Sequence, residues 1–286
     1  MTLPGLKSLT RRLSQTIAYL KRRGKKTAAL AGLLGGMLVA SPAAAASLSA
    51  LDDPSLGKDR YDRCVELVKR DAAAAIEQAA GWYKEKGGGA ALHCQALALV
   101  QLKRYGQAGE KLEQAAREDP AGSAPRRAAL LDQAGNAWLL AGQAVRAESA
   151  FSAALLLAPQ DEDLLADRAR ARGLRKDWTG ADADLSAVLS LDPNRADALV
   201  LRASARHAQG RKADAGADID RALEIDPEYP QALLERGDMK LGDGNLAGAR
   251  ADWQRVVRDA PGSDAAASAQ SNLQSSGELA GKPAKH

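Results

Sequence analysis

Three arginines and three aspartates recur on one period. Arg168, Arg202 and Arg236 stand 34 residues apart, and Asp184, Asp218 and Asp252 each follow one of them by 16. Where the arginine is missing the aspartate is missing as well, since Ala134 and Ala150 hold those places one period earlier. Matched guanidiniums and carboxylates have two uses. Each pair can tie two segments of chain together, and removing one partner then strands a part-buried charge at about 3–5 kcal/mol where burial is deep. Alternatively, the arginines form a ladder that grips an acidic ligand. Other reactive side chains are few: the thiols of Cys64 and Cys94 and the imidazoles of His93, His207 and His286. No Ser, Cys or carboxylate pair accompanies the histidines in a pattern that builds a nucleophile or an acid–base site. Gly87-Gly88-Gly89 does not precede Lys-Ser or Lys-Thr, as a phosphate loop does. No catalytic residue, metal or cofactor is expected.

The elements that position these residues are written in the same period. Pro159, Pro193, Pro227 and Pro261 are 34 residues apart. Ala147, Ala181, Ala215 and Ala249 fall 12 before each proline, and Phe151, Leu185, Ile219 and Trp253 fall 8 before. Leu131, Ala134, Gly135 and Trp138 mark one apolar helical face, Gly142 breaks it, and Ala147, Phe151, Ala154 and Leu155 resume it. Each unit is thus two helices, the second stopped by its proline. Small residues at 135, 169, 203 and 237 sit where paired helices cross. A period of 34 means stacked helical hairpins.

With the small residue eighth, Ala twentieth, an apolar or aromatic residue twenty-fourth and Pro thirty-second in each unit, the chain resembles the tetratricopeptide repeat (TPR) family. The resemblance implies an all-α fold, a right-handed superhelical solenoid of antiparallel helix pairs in 34-residue units. The units are 128–161, 162–195, 196–229 and 230–263, preceded by a unit with an insertion at 89–127 and a degenerate first repeat at 59–88. A capping helix at 264–275 and a disordered tail at 276–286 follow. In the family the first helices line a groove for an extended peptide or a partner's helix. Carried over residue by residue, that groove holds Asp132, Asn136, Asp163, Asp167, Arg170, Asp197, Ser204, His207, Glu235 and Asp238. The wall is acidic with apolar patches. The basic clamp by which some cytosolic relatives hold a terminal carboxylate needs Lys and Asn at several of these places, and only Asn136 is present. Cys64 and Cys94 fall on the first helices of adjacent units, which the family stacks side by side. An even count in an exported chain favours a disulfide between them, with two buried thiols, or a redox or metal pair, as the alternatives.

The head of the chain carries an address. Residues 1–46 hold eight Lys or Arg, no Asp or Glu, and an apolar run ending in Ala44-Ala45-Ala46 before Ser47. This is the pattern of a cleaved signal peptide, with an uncut signal anchor spanning 27–46 as the alternative; a linker at 47–58 follows. Export places the rest in the periplasm. Of the 40 basic residues, removing the eight in the head leaves 32 against 36 acidic ones, a net charge of −4. That balance, interleaved along the helices, excludes nucleic acid as a partner. The expected function is a periplasmic adaptor or scaffold that binds a basic or amphipathic segment of an envelope protein and supports assembly of an envelope complex. An inner-membrane-anchored scaffold and a glycan-binding accessory are the alternatives. With four Trp and five Tyr in the chain, most of them at packing positions, a sugar-stacking platform is disfavoured.

Overall fold

The computed structural model describes residues 54–118 and 123–280. The signal segment 1–46, most of the linker and the last residues of the tail lie outside them. All regular structure among the described residues is helical, in two compact units that meet in sequence at Gly142.

The N-terminal unit contains α1 (Pro54–Arg70), α2 (Ala72–Trp82), α3 (Gly88–Gln101), α4 (Tyr105–Arg117) and α5 (Ala124–Leu140). A π-helical turn at Tyr83–Gly87 joins α2 to α3. Helix α1 begins inside the stretch read as linker. It packs against α2 and α3 through Cys64, Val68, Ala75, Ala79, Leu97 and Ala98. Cys64 and Cys94 are both buried, with Cα atoms 6.3 Å apart, and form a disulfide that staples α1 to α3. The insertion after α4 lengthens the helix that follows: α5 starts four residues before the repeat boundary at 128, with Pro125 in its first turn, where a missing N–H costs nothing.

The C-terminal unit contains α6 (Ala144–Leu157), α7 (Glu162–Leu174), α8 (Trp178–Leu191), α9 (Ala196–Ala208), α10 (Lys212–Ile225), α11 (Pro230–Gly242), α12 (Leu246–Asp259) and α13 (Asp264–Ala280). Successive helices pack as pairs, and Ala147, Phe151, Ala181, Leu185, Ala215, Ile219, Ala249 and Trp253 are all buried between them. The fifteenth residue of each unit turns the chain from first helix to second in a left-handed conformation. Gly142, Gly210 and Gly244 hold it, with φ between 72° and 80°; Lys176 and Lys103 hold it at 63° and 58°. The Asp before each interior proline also has a task. Asp192 Oδ1 accepts from the Asn194 N–H and Asp226 Oδ1 from the Glu228 N–H, each at 3.0 Å, so the turn into the next unit is closed by a side chain.

Helix α13 runs to Ala280 rather than ending at 275. The continuation is held by Ser276, which is 1% exposed: its hydroxyl donates to the Leu273 carbonyl at 2.8 Å and accepts from Arg250 Nη1 at 3.1 Å. Residues 276–280, assigned to the tail, therefore belong to the terminal helix. Among the described residues no helix is long and apolar enough to cross a membrane.

Candidate partner-binding face

Two faces of the first helices carry charge, and they do different things. One looks toward the second helices and holds the periodic arginines. Arg168 meets Asp184 through Nε at 2.9 Å and Nη2 at 2.7 Å; Arg202 meets Asp218 at 3.0 and 2.7 Å; Arg236 meets Asp252 at 2.9 and 2.7 Å. The contacts are bidentate and the carboxylates are buried, 4–5% exposed. Hydrogen bonding to Asp184 and to Asp252 raises the Arg168 and Arg236 pKa values despite the opposing effect of burial. Burial pushes the Asp252 carboxyl up, and the hydrogen bonds from Arg236 and Lys240 outweigh it and hold the group below the usual carboxylate range.

A second cation stands four residues on. Arg172 Nη1 reaches Asp184 at 2.8 Å, Arg206 Nη1 reaches Asp218 at 2.8 Å, and Lys240 Nζ reaches Asp252 at 2.7 Å. The first two also reach back to the preceding second helix, Arg172 Nε to Glu148 and Arg206 Nε to Asp182, each at 3.0 Å. The guanidinium edges that an acidic ligand needs are thus engaged by the chain itself.

The other face carries the positions read as the groove. On it Asp163, Asp167 and Arg170 of α7 meet Arg195 and Asp197 at the start of α9. Arg195 contacts Asp163 at 2.7 Å and Asp197 at 3.0 Å, while Arg170 contacts Asp197 at 3.4 Å and pairs closely with Asp167. Asp167 is 4% exposed and paired within its own helix, which withdraws it from the surface. Further along, the Ser204 hydroxyl of α9 donates to the Val200 carbonyl at 3.2 Å, and burial raises the Glu235 carboxyl of α11. Asp238 accepts from Trp253 Nε1 at 2.9 Å and from Asn272 Nδ2 at 2.7 Å, so it also ties α11 to α12 and α13; burial raises its pKa too. His207 lies near enough to Glu235 to act on its charge.

In the N-terminal unit Asn136 Nδ2 donates to the Asp132 side chain at 3.0 Å and to its carbonyl at 3.1 Å. Beside them runs a line across three helices that sequence reasoning did not find: Tyr61 OH to His93 Nδ1 at 2.8 Å, and His93 Nε2 to Gln133 Oε1 at 2.9 Å. Burial lowers the His93 pKa and pushes Tyr61 up to about 12. A neutral ring with its proton on Nε2 satisfies both contacts.

No family model and no curated protein matches the sequence. Solved structures do. TTC0263, a thermophilic TPR protein in Thermus thermophilus, aligns over 67% of this chain and 100% of its own at a TM-score of 0.54 and 17% identity. The chain has the tetratricopeptide-repeat fold. MamA 41-end from Desulfovibrio magneticus RS-1 aligns over 59% of this chain and 93% of its own, at 0.52 and 20% identity.

The TPR register also sorts what was missed. Arg172, Arg206 and Lys240 recur at 34 like the first set, so the same periodicity could have found them. Arg195 has no such signal: the equivalent residues are Asp161, Tyr229 and Ser263.

Proposed function

We propose that the chain is a binding scaffold of the cell envelope, which takes a basic or amphipathic segment of another protein along the groove-lining face of α7, α9 and α11. One observation carries the reading: Asp163, Asp197, Ser204, His207, Glu235 and Asp238 share one side of three consecutive first helices by register, and Arg195 joins α9 to Asp163 of α7 across it. The periodic Arg–Asp pairs lie on the opposite side of the same helices and keep this face rigid. Export across the inner membrane rests on the basic head, the apolar run closing on Ala44-Ala45-Ala46, and a buried Cys64–Cys94 disulfide, which suits an oxidising compartment. The role is one of recognition, without catalysis.

The test is crosslinking capture from the producing cell's envelope fraction, comparing the native chain with Asp163→Lys, Asp197→Lys and Glu235→Lys combined. Capture of one defined protein by the native chain, and its loss in a variant that still melts cooperatively, supports the reading. Equal capture by both moves the site to another surface.

A further inference from the structure

The residues that stand before the helices opening each step of the array are of two kinds. Asp161 caps α7 by accepting from the backbone N–H groups of Asp163 and Leu164, each at 3.1 Å, and Ser263 accepts from Ala266 N at 3.0 Å to cap α13. At the same place α9 has Arg195 and α11 has Tyr229, and neither side chain makes a cap. What sets Arg195 apart from Tyr229 is its charge and the contact that charge makes.

That contact is a fork among acids. Arg195 Nη2 lies 2.7 Å from Asp163 Oδ1, Nε lies 3.0 Å from Asp197 Oδ1, and Nη1 lies 3.7 Å from Glu162 Oε2. Its side chain is 12% exposed, although that of Asp163 is 75% exposed. Asp163 and Asp197 are the same position of successive repeats, so one guanidinium bridges two equivalent carboxylates. Arg170 then reaches the other oxygen of Asp197. Farther along, Asp238 accepts from two neutral donors, Trp253 and Asn272.

We propose that Arg195 occupies, from within the chain, the seat between Asp163 and Asp197 that a cationic side chain of the bound segment takes. The inference rests on the scaffold reading above and adds the class of group recognised, an arginine or lysine side chain, and the internal residue it displaces. Binding there is an exchange of one cation for another, so the native face holds basic segments weakly and only those that bring further contacts along α9 and α11. A bidentate guanidinium is the strongest competitor for the seat, because its planar fork matches the carboxylates.

The probe is an acetylated, amidated alanine-based peptide carrying two arginines, followed by fluorescence anisotropy at low salt. Arg195→Asn removes the cation and restores a capping side chain to α9, which protects the fold. It should bind the probe about tenfold more tightly than the native chain. Arg195→Lys, which keeps the charge, should stay near the native value. Adding Asp163→Asn and Asp197→Asn to Arg195→Asn should abolish the gain. An Arg195→Asn chain that binds no more tightly, or a gain that survives loss of both aspartates, overturns the proposal. Its failure is separable from that of the scaffold reading: capture lost on charge reversal with no gain in Arg195→Asn keeps the scaffold and removes the seat, and the converse keeps the seat and removes the scaffold.

Discussion

Gly237 and Trp253 are made for each other: a Cβ on Gly237 would lie 2.5 Å from the indole Nε1, the same atom that donates to Asp238 at 2.9 Å. The bulky residue of the second helix thus selects the small residue of the first, and the indole N–H is directed onto the Asp238 carboxylate. Gly109 on α4 and Trp138 on α5 make a like contact with the roles reversed, small residue on the second helix and indole on the first helix of the next unit, with Cε2 2.5 Å from an added Cβ.

Gly237→Ala should therefore destabilise the C-terminal unit by about 1–3 kcal/mol through overpacking, despite the better helix propensity of alanine. Thermal melts check it, and Gly237→Ala combined with Trp253→Leu should recover part of the loss. A melting temperature equal to the native one would show that the indole yields freely.

Arg202→Ala removes one of two cations from Asp218, with Arg206 remaining, and should cost about 2 kcal/mol. Asp218→Ala strands both and should cost about 3–5 kcal/mol. A double-mutant cycle on denaturant midpoints should give a coupling above about 0.5 kcal/mol; plain additivity would remove the pair from the account.

Lys176 holds the left-handed turn that Gly142, Gly210 and Gly244 hold elsewhere. Lys176→Gly should raise stability by about 0.5–1 kcal/mol, as relief of the Cβ clash exceeds the entropy lost on folding a glycine. A lowered melting temperature would mean that the lysine stem packs in a way the turn depends on.

His93 gives the N-terminal unit an acid sensitivity. Burial sets its folded pKa below the 6.5 of the free ring, so the unfolded chain binds more protons in that interval. Stability contributed by the neutral ring is complete above pH 6.5, falls as pH drops through it, and levels off below the folded pKa. Tyr61 and Gln133 face the ring as hydrogen-bond partners, and Arg126 disfavours its charge. Glu235 and Asp238, raised by burial, act in the opposite sense at lower pH, favouring the folded state as they protonate. The difference in unfolding free energy between native chain and His93→Gln, followed from pH 8 to pH 5, isolates the histidine; a difference independent of pH would show that the ring titrates normally.

Period and residue size made the fold readable. Once Ala147, Phe151 and Pro159 repeat at 34, the hairpins and their buried seams follow, because each position has a single packing environment along the stack. What repeats could be read; what occurs once could not. Arg195 carries no periodic signal and acts by reaching sideways to a different repeat. The Tyr61–His93–Gln133 line joins three helices at positions whose types differ in every unit. Asp167 looked like a surface acid by register, and its burial depends on Arg170, one turn away. Ser276 prolonged the last helix through a contact with Arg250 that hydropathy does not encode.

The second cation of each rung has one more consequence. Arg172 and Arg206 are clasped from behind by Glu148 and Asp182, but at the next step the place is taken by Gly216, and Lys240 is 33% exposed where Arg206 is 16% exposed. The cross-bracing therefore thins toward the C-terminal end. Under tension between its ends this unit would yield hairpin by hairpin from α11–α13 backward, with the earlier rungs acting as a stop, and amide exchange would show the same order without any applied force.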